Sequence, residues 1–276
     1  MATETEGSGR PGEPTRVGDG AEGFPHGSKY PLFVGAGMFF TAVGLLWLPV
    51  MIIGIPVLLY GMWGWTREYT IIEFEAGVIP QQKRQRLGVK TGYLSMILVA
   101  ISELLVFAAV FIAYLYLDAA RGPFPPEGAP EPSFIFGFLL FVILGIGSLG
   151  FYWAQTSIQR NNRSNMKTGL IVAFLSGVGF MAILGYEWIR LFSQGLYWDG
   201  FLVGPELGVY GSAFFLTTGL HAAHVIGGLA LMVVVLYRVF ARGHFSPDRH
   251  LMISATGVYW HMLTLVQLLI VVVVYM

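Results

Sequence analysis

A chain of 276 residues with 55% hydrophobic side chains, 12% charged ones and a mean hydropathy of +0.66 is too apolar for a water-soluble domain and reads as a bilayer protein. Sixteen Lys and Arg against 16 Asp and Glu leave no basic field for a nucleic-acid backbone, so nucleic-acid binding is excluded. Without a single Cys there are no disulfides, thiolate metal sites or iron-sulfur clusters, and any metal chemistry must rest on six His and the carboxylates.

Residues 1–29 are rich in Gly, Pro, Glu and Thr and read as a disordered tail on a membrane domain of residues 30–276. The tail lacks the apolar core of a secretory signal, and its five acids (Glu4, Glu6, Glu13, Asp19 and Glu22) argue against a mitochondrial transit peptide, which points to the cytoplasmic membrane of a bacterium or archaeon. From Tyr30 onward, apolar runs alternate with short polar breaks. They predict an all-α protein with seven transmembrane helices at about 31–48, 50–66, 91–117, 133–155, 168–189, 209–237 and 251–275. The first two are joined at Leu48-Pro49-Val50 without a charge, so they form a tight apolar hairpin or a V. One continuous helix there would run to about 54 Å, beyond the roughly 30 Å of hydrocarbon.

The basic residues test this count independently, because cytoplasmic loops collect Lys and Arg. Seven spans place fourteen of the sixteen on the N-terminal face: Arg10, Arg16 and Lys29, five between Arg67 and Lys90, then Arg160, Arg163 and Lys167, and finally Arg238, Arg242 and Arg249. Only Arg121 and Arg190 fall on the other face, so the N-terminus is cytoplasmic and the C-terminus outside. The Pro-rich stretch at 118–132 is then an outer, irregular, rigid connector.

Charges at the centre of a membrane helix cost roughly 2.5 to 3.5 kcal/mol, so a buried carboxylate needs a reason. By helical rise Glu103, His224 and His261 lie about 17 to 21 Å deep on three different helices, and His221 is one turn from His224 on the same face. Three readings are open. The groups can satisfy one another and nearby Ser102, Ser176, Thr217 and Thr218 as interhelical hydrogen bonds. They can handle protons, since a desolvated carboxylate and imidazoles bracket neutral pH. Or His-x-x-His with a third His can hold a metal or haem, a weak pattern by itself. Glu187, flanked by Tyr186 and Trp188, reads as an interfacial residue between aromatic anchors. Trp63, Trp65 and Arg67 form an aromatic belt with a snorkelling Arg, or a holder for an anionic lipid headgroup. Gly35, Gly37, Gly44, Gly54, Gly61 and Gly64 permit close backbone approach, or leave a groove for acyl chains.

These stretches resemble subunit III of the haem-copper terminal oxidases of the cytochrome c oxidase type. The likeness covers residues 30–276 and rests on Ser102-Glu103, Tyr186-Glu187-Trp188, Thr218-Gly219-Leu220-His221-Ala222-Ala223-His224-Val225-Ile226-Gly227-Gly228, Tyr259-Trp260-His261 and Trp65-Thr66-Arg67-Glu68. The resemblance implies a non-redox subunit of a proton-pumping oxidase of aerobic respiration. It would bind no haem or copper, both expected in partner chains, and would have no catalytic residue and no metal ligand of its own. It would pack against oxidase subunit I in a complex with subunit II. Helices I–II would form a V against helices III–VII, holding phospholipid. It would also support proton uptake, with Glu103 as the family's buried helix III carboxylate and His221, His224 and His261 as its motif histidines. Thr264 and Gln267 depart from the family's usual Asp and Trp in helix VII. The alternatives are an accessory subunit of a nitric oxide reductase and a small membrane transporter.

Overall fold

The computed structural model describes residues 29–44, 48–67, 91–121, 124–198, 205–243 and 245–276. Among the described residues there are seven α-helices and no strand: α1 (Tyr30–Gly44), α2 (Leu48–Arg67), α3 (Thr91–Arg121), α4 (Phe134–Gln159), α5 (Arg163–Ser193), α6 (Pro205–Tyr237) and α7 (Leu251–Val274). Helices α3 to α7 are each long and apolar enough to cross a membrane, and α1 and α2 are shorter apolar helices. Residues 1–28 of the predicted disordered tail and the whole loop between α2 and α3 lie outside the described residues.

Helix ends differ from the sequence expectation where local chemistry extends the helix. Pro49 occupies the first turn of α2, where its missing N–H costs nothing, so α2 begins two residues early. Asn162 caps α5 by accepting from the Asn165 amide at 3.1 Å, which starts that helix at Arg163 rather than 168. The end of α6 widens into a π-helical turn at Arg238–Arg242 and stops at Gly243, whose φ of 60° is left-handed.

The chain divides into two compact units, at Gln81/Gln82. In the first, α1 and α2 lie antiparallel with their backbones almost touching. A Cβ on Gly37 would sit 2.3 Å from the Leu58 amide nitrogen, and one on Gly54 would sit 2.5 Å from that of Thr41. The close-approach reading of these glycines holds for Gly37, Gly44, Gly54, Gly61 and Gly64, whereas Gly35 faces open space. In the second unit, α4 and α5 cross at Gly150 and Gly169, each of which would drive a Cβ to within 2.8 Å of the other's carbonyl oxygen. Helix α7 fills the middle of this unit. Its fully buried Trp260 packs on Phe151, and Gly177 and Gly228 leave room for the indole. The stretch expected to be irregular from 118 is still helical to Arg121, and in the described part beyond it the Phe124 ring meets Tyr114 of α3 and Tyr210 of α6 edge-on at 5.2 and 5.1 Å.

Candidate functional site: a carboxylate and an imidazole inside the helix bundle

Helices α3 and α6 bring Glu103 and His224 together, with Glu103 Oε2 2.9 Å from His224 Nε2. The other ring nitrogen of His224, Nδ1, lies 2.7 Å from the Leu220 carbonyl one turn back, to which it must donate. A neutral imidazole carries one N–H, and the Leu220 bond consumes it. The bond to Glu103 therefore needs a second proton, held either by the carboxyl or by a doubly protonated ring. Tyr259 of α7 donates to the His224 carbonyl at 3.1 Å, so three helices meet at this residue. The pair is not sealed: the side chains keep 31% and 17% of their exposure.

The remaining histidines separate. His221 is buried between the rings of Phe107 and Phe180, at 6.0 and 5.4 Å, with no hydrogen-bond partner on either ring nitrogen among the described residues. The Phe107 ring also lies 5.0 Å from that of His224. His261, expected at the same level as Glu103, instead bonds through Nδ1 to the Ser148 hydroxyl of α4. Among the described residues no three His, Asp or Glu side chains gather at metal-binding separations.

Among the described residues, Thr217, Thr218 and Ser176 do not link helices as expected. Thr217 and Thr218 donate to Ala213 and Phe214 carbonyls of their own helix at 2.8 and 2.9 Å, because the carbonyl one turn back is always within reach. The Ser176 hydroxyl has no protein partner among the described residues.

Glu187 corrects the interfacial reading. It is wholly buried, and its Oε2 accepts a 2.7 Å hydrogen bond from Tyr275, the residue that caps α7. Arg190, one turn on, lays its guanidinium over Phe136 at 5.4 Å. Only Tyr186, 60% exposed, behaves as a surface aromatic. Thr264 and Gln267 also serve the bundle: Thr264 donates to the Leu144 and Trp260 carbonyls, and buried Gln267 to that of Gly137. Sequence reasoning missed Ser148, Tyr259 and Tyr275, and of these only Tyr259 lies within one of the motifs that carry the resemblance.

In the first unit Trp63 and Trp65 are 66% and 42% exposed, and Arg67 is exposed beside them at the end of α2.

A family model described as "Cytochrome c oxidase subunit III" matches residues 27–276. The chain belongs to the cytochrome c oxidase subunit III family. Cytochrome c oxidase subunit 3 of Synechocystis sp. is 28% identical over 66% of this chain and 73% of its own length. The rabbit (Oryctolagus cuniculus) protein of that name is 33% identical over 65% and 67%, and that of Drosophila melanogaster 30% over 68% and 69%. The subunit is thus a multi-pass membrane protein and a member of an oxidase complex with other subunits.

Proposed function

We propose that this chain is the non-redox subunit III of a proton-pumping haem-copper terminal oxidase in the cytoplasmic membrane. It packs against the catalytic subunit I, with haem and copper carried by the partner chains, and its Glu103–His224 pair supports proton uptake. The observation that carries the proton role is the occupied Nδ1 of His224: the 2.9 Å contact to Glu103 can exist only with one shared proton. A carboxyl and an imidazole that share a proton and are still partly open can pass it on without breaking either helix. Trp63, Trp65 and Arg67 hold an anionic phospholipid headgroup, a role that their exposure and single positive charge at a helix end support.

Glu103→Gln is the informative test in the purified oxidase. The Gln amide donates to His224 Nε2 and keeps the link between α3 and α6, but it removes the transferable proton. Assembly and haem content should be retained while dioxygen turnover falls at alkaline pH, where protons are scarce. Unchanged turnover across pH would leave the pair a packing lock, a reading that the Tyr259 bond across to His224 favours.

A further inference from the structure

At the N-terminal, cytoplasmic end of the bundle, the start of α5 and the π-helical end of α6 enclose a pocket of about 170 Å³. That is several times the roughly 30 Å³ a water molecule takes up in the liquid. Arg163 and Lys167 line it from α5, and Val239, Phe240 and Gly243 from the end of α6. The widened turn is what builds the second wall, because it buries Val239 and leaves Phe240 53% exposed beneath the Lys167 ammonium, 5.1 Å from the ring centroid.

Among the described residues no carboxylate compensates the charge in this pocket. Arg163 and Lys167 are four residues apart on one face of α5, where like charges repel. The first turn of α5 carries no acid to answer the partial positive charge of the helix start. An anion seated between the two side chains would relieve all three. Its source is indicated by what lies above: Phe240, Tyr237 and Val233, 53%, 55% and 53% exposed, follow one another at helical spacing up α6 into the hydrocarbon. Free phosphate has no use for such a strip, whereas a lipid has.

We propose that this pocket seats the phosphate of an anionic phospholipid between Arg163 and Lys167, with its acyl chains running along Phe240, Tyr237 and Val233. This site belongs to the α3–α7 unit and is separate from the headgroup site proposed at Arg67.

The test uses the intact oxidase complex in nanodiscs, with dioleoylphosphatidylglycerol as probe and dioleoylphosphatidylcholine and inorganic phosphate as the contrasting arms. Each basic residue near an anionic lipid contributes roughly fivefold in affinity, so R163Q/K167Q should weaken retention of one phosphatidylglycerol by about thirtyfold in native mass spectrometry. R163K/K167R should retain it. A headgroup-diazirine phosphatidylglycerol on the wild-type complex should label residues 163–167 or 239–245, a readout that needs no variant. Absence of that label, equal retention of phosphatidylcholine, undiminished retention in R163Q/K167Q, or displacement by excess inorganic phosphate would each overturn the proposal, the last by making the pocket a free-anion site.

Discussion

Removing the Tyr275 hydroxyl tests the account of the outer end of the bundle. Glu187 is wholly buried, with Oε2 bonded to Tyr275 at 2.7 Å. Tyr275→Phe keeps the ring, which covers Gly137 so closely that a Cβ there would stand 2.6 Å from it, and deletes only the donor. Leaving a buried acceptor without its donor costs about 1 to 3 kcal/mol. In chains of 150–250 residues 1 kcal/mol moves a melting midpoint by about 2–4 °C, so release of this subunit from the purified complex should come roughly 2–12 °C earlier. Removing both partners is less harmful than removing one, so Tyr275→Phe combined with Glu187→Met should be more stable than Tyr275→Phe alone. The release temperature of the complex, followed by gel or mass spectrometry across a heating series, reads all three. A Tyr275→Phe midpoint within a degree of wild type, or a double variant worse than the single one, would refute the reasoning.

Gly169→Ala should destabilise the α4–α5 crossing by about 1–3 kcal/mol, because the new methyl meets the Gly150 carbonyl at 2.6 Å and backbone cannot move aside like a side chain. Gly185→Ala, with nothing within 4 Å, should be neutral or gain up to about 1 kcal/mol in the same assay. Ser148→Ala should cost about 1 kcal/mol by leaving His261 Nδ1 without its partner, and Ser148→Thr should recover most of it; thermal release again decides. Arg67→Ala should release one anionic phospholipid in native mass spectrometry, and equal retention would reduce Trp63, Trp65 and Arg67 to an aromatic belt.

Much of this architecture is legible in the sequence because a bilayer reduces the choices. Each apolar run of sufficient length has to be a helix that satisfies its own backbone. The Lys and Arg partition then predicts the direction of threading, and Gly-Leu-His-x-x-His-Val-Ile-x-Gly in α6 carries the family. Depth along each helix also follows from 1.5 Å per residue, which is why residue counting alone puts Glu103 and His224 at one level. What depth leaves open is rotation: each residue turns by about 100°, and the face it presents is set by what packs against the helix. Rotation decides that His224 rather than His261 meets Glu103, and that His221, three residues away, is enclosed by Phe107 and Phe180. It also turns Glu187 inward to Tyr275 while Tyr186 faces out. Azimuths of this kind rest on contacts among residues far apart in the chain, such as the glycine-mediated approach of α4 to α5 and the seating of Trp260 between Gly177 and Gly228. No local pattern encodes them, because the energy that selects them exists only once the helices touch.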